Sequence, residues 1–210
     1  MNNKFLIALV LISIPCAGFG ADNAEPNSKT LISAMKKHLQ QHGHFCLGKF
    51  DWPIDVSEAE FGMKTRDALQ MPVLEKLGLV VSSPAEAMRK VDDAELSVPV
   101  KRYALTDAGK KFYLEKESVL LVGGKQVKHT HDFCVGKLSL DKVVNWTKKD
   151  NAHLTVSYTY KIAAAAWTYN PEAQKAFPLM AHIVNGEGKV KLEQPFRLVG
   201  GDWEALTRLD

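Results

Sequence analysis

Two short segments of the chain share one pattern: HGHFCLGK at His42–Lys49 and HTHDFCVGK at His129–Lys137. Each contains two histidines one residue apart, then a cysteine, then a Gly-Lys pair. Such copies can be joined in two ways, by a disulfide between their cysteines or by a shared metal ion. The choice depends on the compartment in which the protein folds, because disulfides persist mainly in oxidising surroundings.

The N-terminal residues have the layout of a secretory signal peptide. Residues 1–4 carry one lysine and no acid, residues 5–19 are almost wholly apolar, and small residues and a polar run follow. The apolar run is shorter than the roughly 20 residues that a membrane span needs. We therefore expect residues 1–21 to be a signal peptide, the mature protein to be periplasmic or secreted, and no stable membrane span to remain after cleavage. A retained N-terminal anchor would export the same downstream residues.

Charge and composition limit the class of partner. Lys4 is the only charged residue in residues 1–21, so the net charge of +3 falls to +2 on cleavage. That balance does not favour binding to a polyanion. With 46% hydrophobic and 24% charged residues, the chain has the composition of a globular protein.

The cysteine count favours the disulfide. Cleavage would remove Cys16 and leave Cys46 and Cys134 of the 3 cysteines. An even pair in an exported chain most often forms a disulfide. If the two copies were neighbouring strands, they would bring these cysteines together. We predict a Cys46–Cys134 disulfide, to which loop closure assigns up to roughly 4–5 kcal/mol of stability.

The alternative is a zinc or copper site formed by His42, His44, His129 and His131. On a strand, the two histidines of a His-x-His pair point to the same side and could chelate one ion. The copies differ in spacing, however, because Asp132 is an additional residue before the second cysteine. Without a bulge they cannot present identical ligand sets. The more frequent explanation is exposed histidines beside a disulfide, with no cofactor.

The apolar pattern predicts an α+β fold. We expect a helix from residue 28, a hairpin turn at Gly123-Gly124, an alternating strand over residues 154–162, and a helix that opens at Asn170-Pro171 and is kinked or split at Pro178. Residues 57–78 should form a helix in two pieces, with Pro72 opening the second, and residues 82–97 should be a loop. The predicted parts are a flexible leader, residues 22–27; a helix-rich module, 28–122; and an antiparallel β-sheet with a packed helix, 123–210.

One segment of the helix-rich module resembles a known family. VLEKLGLVVSS at residues 73–83, followed by KRYALTDAGKKFY at 101–113, is similar to the end of a winged-helix domain in bacterial transcription regulators. In that family a helix ends in Leu-Gly-Leu-Val, a two-stranded wing carries Arg-x-Tyr-x-Leu-Thr, and Ala-Gly opens the next helix. The resemblance covers residues 66–114 and implies a winged-helix-like module, but a fold alone does not define a function. The matching positions are Arg102, Tyr103, Leu105, Thr106 and Gly109.

Nucleic-acid binding is not expected from this module. A specific binder needs several phosphate-neutralising lysines and arginines, and a helix that presents Arg, Asn or Gln to the major groove. The helix before Gly78 offers Glu75 and Lys76, with Pro72 near its start. Export would also separate the protein from chromosomal DNA. We expect the module to be a scaffold or a contact surface.

No set of catalytic residues is recognised. The chain has no Gly-x-Ser-x-Gly sequence, and neither Gly48-Lys49 nor Gly136-Lys137 has the spacing of a phosphate-binding loop. Among the aromatic residues, Trp52, Trp167 and Tyr169 could form a binding surface, although core positions are more frequent for such side chains. We therefore predict an exported, non-enzymatic binding or interaction protein of the cell envelope, whose partner is a protein or a small ligand.

Overall fold

The structure is a computed structural model that describes residues 25–91 and 94–207. The predicted signal peptide, residues 1–21, lies outside the described residues, as does the first half of the predicted leader. Helices and antiparallel strands occur together in the described chain, which confirms the α+β class.

The described helices are α1 (Ser28–His42), α2 (Glu58–Met63), α3 (Arg66–Lys76), α4 (Asp107–Lys110), α5 (Pro171–Ala176) and α6 (Pro178–Asn185), with a 3-10 helix at Ala166–Tyr169. The described strands are β1 (His44–Cys46), β2 (Ile54–Ser57), β3 (Val80–Val91), β4 (Ala94–Leu105), β5 (Tyr113–Val122), β6 (Lys125–Lys148), β7 (His153–Ala164), β8 (Leu192–Val199) and β9 (Asp202–Ala205).

β6 is the spine of the larger sheet, because strands pair with both of its edges. The order is β1-β6-β7-β8-β9, and β5 pairs with the first part of β6. The predicted turn at Gly123-Gly124 joins β5 to β6, and both glycines have a positive φ. The predicted alternating strand is β7, in which Leu154, Val156, Tyr158 and Tyr160 are buried. Both of these predictions are confirmed.

The smaller sheet has the order β2-β4-β3. The prediction of a loop over residues 82–97 is wrong, because these residues form most of β3 and the start of β4. The outer end of this hairpin is exposed, as Met88 at 60% and Leu96 at 49% exposure show. A two-stranded ribbon pairs the backbone groups that face between its strands and leaves its outer edges to water, so it can form without a buried face. Its sequence therefore need not alternate between apolar and polar residues.

The break between α2 and α3 lies earlier than predicted. Lys64 has a left-handed backbone conformation, with φ 54°, which ends α2. The side chain of Thr65 accepts a hydrogen bond from the Ala68 N–H and caps α3. Pro72 lies inside α3 and opens no helix, so that prediction is wrong. The cap at Thr65 sets the start of the helix, and Pro72 removes only one hydrogen bond within it.

The predicted helix features of the C-terminal half are confirmed. The side chain of Asn170 accepts hydrogen bonds from the N–H groups of Glu172 and Ala173, and Pro171 occupies the first position of α5. Pro178 divides the helical run, since α5 ends at Ala176 and α6 begins at Pro178.

One cluster of buried side chains extends across both predicted modules. α1 contributes Leu31, Met35 and Leu39 to it and lies against β6 and β9. The predicted boundary between residues 122 and 123 falls in the β5–β6 turn, and the strands on its two sides are hydrogen-bonded to each other. The described chain therefore has no break in packing at that position.

Asp55 and Arg102 lie opposite each other on β2 and β4. The Arg102 guanidinium donates two hydrogen bonds, each of 2.7 Å, to the two oxygens of the Asp55 carboxylate. These hydrogen bonds lower the pKa of Asp55 below its usual value. A carboxylate with a lowered pKa stabilises the folded state at neutral pH, and this contribution is lost as the pH falls through the folded-state pKa.

We expect Asp55→Asn to lower the Tm at pH 7, because the neutral amide loses the charge-assisted pair with Arg102. The difference from the unsubstituted protein should begin to shrink as the pH falls below about 4, the usual pKa of an aspartate in an unfolded chain, and should go on shrinking toward the lowered pKa of folded Asp55. Thermal unfolding followed by circular dichroism between pH 7 and pH 3 measures both Tm values. A difference that stays constant over this range would contradict the assigned role.

Candidate functional site

The two copies of the repeated pattern pair with each other. β1 runs antiparallel to β6, with His44 opposite Lys137 and Phe45 opposite Gly136. Cys46 lies opposite Cys134, and the two form a disulfide, as predicted. The register shifts between Phe45 and Cys46, so one additional residue of β6 is accommodated here. The bypassed residue is Val135, so this irregularity is separate from the additional Asp132 that distinguishes the two copies.

The Asp132 carboxylate fixes the backbone of the first copy against the second. Its Oδ1 accepts hydrogen bonds from the N–H groups of Lys49 (2.8 Å) and Phe133 (2.7 Å), and its Oδ2 accepts one from the Gly48 N–H (3.2 Å). Asp132 is 6% exposed. Burial raises the pKa of its carboxyl, and the three N–H groups oppose that rise. Asp132, the additional residue of the second copy, therefore binds the backbone of the first copy.

The lysines of the two Gly-Lys pairs have different surroundings. Lys49 is 2% exposed, and its ammonium group contacts the carboxylate of Asp67 on α3. Burial lowers the pKa of Lys49, and the hydrogen bond to Asp67 opposes this effect. Lys137 is exposed. Gly48 has φ +67°, a conformation that favours glycine, so the first Gly-Lys pair turns the chain and directs Lys49 toward α3.

The four histidines of the predicted metal site have separate neighbours. The His42 ring lies 5.1 Å from that of His38, while His44 is opposite Lys137. The centroids of His129 and Phe50 are 4.2 Å apart, and those of His131 and Tyr113 are 5.1 Å apart. In residues 25–91 and 94–207, no three His, Cys, Asp or Glu residues are grouped to hold a metal ion. The zinc or copper hypothesis stays a prediction, and the disulfide occupies both cysteines.

The predicted aromatic surface is divided between the core and the solvent. Trp52 and Trp167 pack against the buried cluster, and each has a ring centroid within 6.4 Å of that of Phe133. The indole N–H groups of both tryptophans are buried without a hydrogen-bond partner in the described part of the chain. Tyr169 is 53% exposed. Of the three residues, Tyr169 is the one with a largely exposed side chain.

An apolar groove with a volume of about 360 Å³ opens beside the disulfide. The sequence alone does not reveal this groove, because three distant segments form its wall: residues 45–47, residues 66–70 of α3, and residues 176–180 at the α5–α6 junction. Cys46 itself lines the groove. Leu69 and Leu179 also line it and are 53% and 68% exposed. Within the individual segments, the sign of this site is an apolar side chain left exposed on a helix: Leu69 on α3 and Leu179 on α6.

The groove also contains two polar side chains. Gln70 is 9% exposed, and its Nε2 donates a hydrogen bond of 3.1 Å to the Ala176 carbonyl, which ties α3 to the end of α5. The Gln70 Oε1 is buried and has no hydrogen-bond partner among the described residues. Arg66 is the one charged residue of the described lining, and its side chain is 63% exposed.

A second depression, of about 440 Å³, lies along α6 and is lined by His182, Asn185 and Lys189 among others. It is shallow and open to solvent. No buried polar atom without a partner lies among its described lining residues. The groove beside the disulfide is therefore the better candidate for a ligand site.

No protein-family model, no curated protein and no solved structure matches the chain. Within the described residues, no helix is both long and apolar enough to cross a membrane. The class of the protein therefore follows from its structure: it is an α+β protein with a Cys46–Cys134 disulfide and an apolar groove beside it.

We expect Asp132→Ala to lower the free energy of unfolding by about 2–4 kcal/mol. Three backbone N–H groups lose their acceptor, each worth about 1–3 kcal/mol where burial is complete, and the removal of a buried charge offsets part of the loss. Urea unfolding measures the change. The exposed Asp202 gives the control, since Asp202→Ala should change stability by less than about 0.5 kcal/mol. Equal effects of the two substitutions would show that Asp132 does not clasp the strands.

Proposed function

We propose that the chain is an exported, non-enzymatic binding protein of the cell envelope, and that the groove beside the disulfide is its ligand site. The observation that carries this proposal is the groove itself. It combines an apolar wall with exposed Leu69 and Leu179 and an unpartnered Gln70 oxygen. Binding sites are typically concave and mostly apolar, with a few polar groups that orient the ligand, and measure about 300–1,000 Å³.

Two observations support export. Residues 1–21 have the charged, apolar and small-residue order of a signal peptide. Cys46 and Cys134 form a disulfide, a bond that persists mainly outside the reducing cytosol.

We also propose that the N-terminal half is a winged-helix-like scaffold. The order of its elements supports this: α3 ends near Leu77-Gly78, the β3–β4 hairpin follows, and Thr106 caps α4. Two of the matching positions have structural surroundings, since Arg102 pairs with Asp55 and Tyr103 is fully buried. These contacts support a structural role for the module and give no reason to expect nucleic-acid binding.

A fluorescent apolar probe tests the ligand site. N-phenyl-1-naphthylamine, which becomes brighter in apolar surroundings, should bind the purified protein. We expect Leu179→Lys to weaken this binding about tenfold or more, because it places a charge at the groove and removes apolar surface worth about 1.5–3 kcal/mol when buried. Fluorescence titration gives the Kd.

Leu121→Lys is the matched control. Leu121 lies on β5 outside the groove and is 75% exposed, against 68% for Leu179. Its substitution should leave the probe affinity unchanged. Equal affinities of the two variants, or no binding to the unsubstituted protein, would contradict the proposal.

A further inference from the structure

Two elements bring positive charge to the groove. The Arg66 guanidinium is largely exposed, and its Nε lies 3.6 Å from Asp67 Oδ1, beyond hydrogen-bond distance. Asp67 makes its closer contact with Lys49. The N-terminus of α6 also lines the groove, and no side chain caps it. Its first residue, Pro178, has no N–H, so the first N–H groups of this helix are those of Leu179 and Met180. The first N–H groups of a helix have no acceptor within the helix and carry partial positive charge. Guanidinium and amide donors together match a carboxylate.

The wall of the groove also needs a hydrogen-bond donor. The bond from Gln70 Nε2 to the Ala176 carbonyl fixes the orientation of the Gln70 amide, so its Oε1 is the atom without a partner. A buried oxygen in this state destabilises the protein, and a hydrogen bond from a ligand N–H would remove that cost. Arg66 and Gln70 are four residues apart on α3, about one turn or 6 Å along the helix. The site therefore suits a ligand whose anionic group, facing Arg66, lies close to an N–H donor that faces Gln70.

The remaining surface requires an apolar group of limited size. The volume of about 360 Å³ is near the lower end of the range for ligand pockets. Because Gln70 Oε1 is covered, a ligand must displace a wall side chain to reach it. Leu69 and Leu179 are exposed enough to move without disturbing the core.

We propose that the groove binds the C-terminal end of a polypeptide whose last residue is apolar. The terminal carboxylate contacts Arg66 and the N–H groups of Leu179 and Met180 at the start of α6. The last backbone N–H donates to Gln70 Oε1, and the last side chain enters the groove. The carboxylate and the N–H of a terminal residue are attached to the same Cα, which suits acceptor and donor groups on adjacent turns of α3. Capture of a chain end in this way is a known mode of peptide recognition.

Other apolar ligands satisfy only part of the site. A fatty acid supplies the carboxylate and the hydrocarbon but has no N–H for Gln70. An internal peptide segment supplies the N–H and a side chain but no carboxylate for Arg66. The chain end is the ligand that satisfies all three features. This identification rests on the proposed function, because it assigns the ligand of the same groove.

Four synthetic peptides test the proposal. The first is a fluorescein-labelled hexapeptide that ends in Ser-Val-Leu with a free carboxylate. The others differ from it by a C-terminal amide, by a methyl group on the last backbone nitrogen, or by glycine in place of the last leucine. Fluorescence anisotropy should show binding of the first peptide and about tenfold weaker binding of each of the others. Equal binding of the amidated or the N-methylated peptide overturns the proposal.

Substitution of Arg66 locates the carboxylate. Arg66→Gln should remove the preference for the free acid over the amide, whereas Arg197→Gln, at an exposed arginine on β8, should retain it. A preference that survives in Arg66→Gln overturns the assignment. Tighter binding of dodecanoate than of the first peptide, lost in Arg66→Gln, identifies a lipid anion and also overturns it. If the apolar probe binds as expected but no peptide does, the proposed function stands and this inference fails; if neither binds, both fail.

Discussion

The pairing of β1 with β6 is the constraint on which the rest of the structure depends. Cys46 and Cys134 join the two strands covalently, although 88 positions separate them in the chain. Asp132 then holds the backbone of Gly48 and Lys49 through its buried carboxylate. From that point the Lys49 ammonium reaches Asp67 on α3. Together, the disulfide, the Asp132 hydrogen bonds and the Lys49–Asp67 ion pair connect β6 of the larger sheet to α3.

The groove is a consequence of these connections. One side of it is the segment that contains Cys46, and the opposite side is the end of α5 with the start of α6. α3 lies between them, held to the first by Asp67 and to the second by the Gln70–Ala176 hydrogen bond. Because each wall is fixed by a partner from a different segment, the groove is part of the folded structure before any ligand arrives. Its backbone therefore needs no reordering on binding, and the change required of it is the movement of the side chain that covers Gln70 Oε1.

Local chemistry allowed much of the fold to be predicted from the sequence. The Asn170-Pro171 cap, the Gly123-Gly124 turn and the alternation along β7 each depend on neighbouring residues. The disulfide was predicted from cysteine parity and from the repeat. The outer part of the β3–β4 ribbon, within residues 82–97, was predicted to be a loop, because its exposed strands have no need for alternation. Pro72 was misleading because the Thr65 cap, and not the proline, sets the start of α3.

The site could not be predicted in the same way, since its residues come from three segments. Nothing in the repeat distinguishes Lys49, which is buried, from Lys137, which is exposed. Trp52 and Trp167 were candidates for a surface, yet both pack on the core, where their rings lie near that of buried Phe133. The unpartnered Gln70 oxygen depends on the position of Ala176, 106 residues away. Only tertiary contacts create these features.

The most direct test of this account is peptide mapping of the native protein by mass spectrometry, without reduction and after free thiols have been alkylated. The account predicts a cross-linked pair of peptides that contains Cys46 and Cys134, with neither residue alkylated. Alkylation of both cysteines in the native protein would contradict it, because the two strands would then have no covalent link.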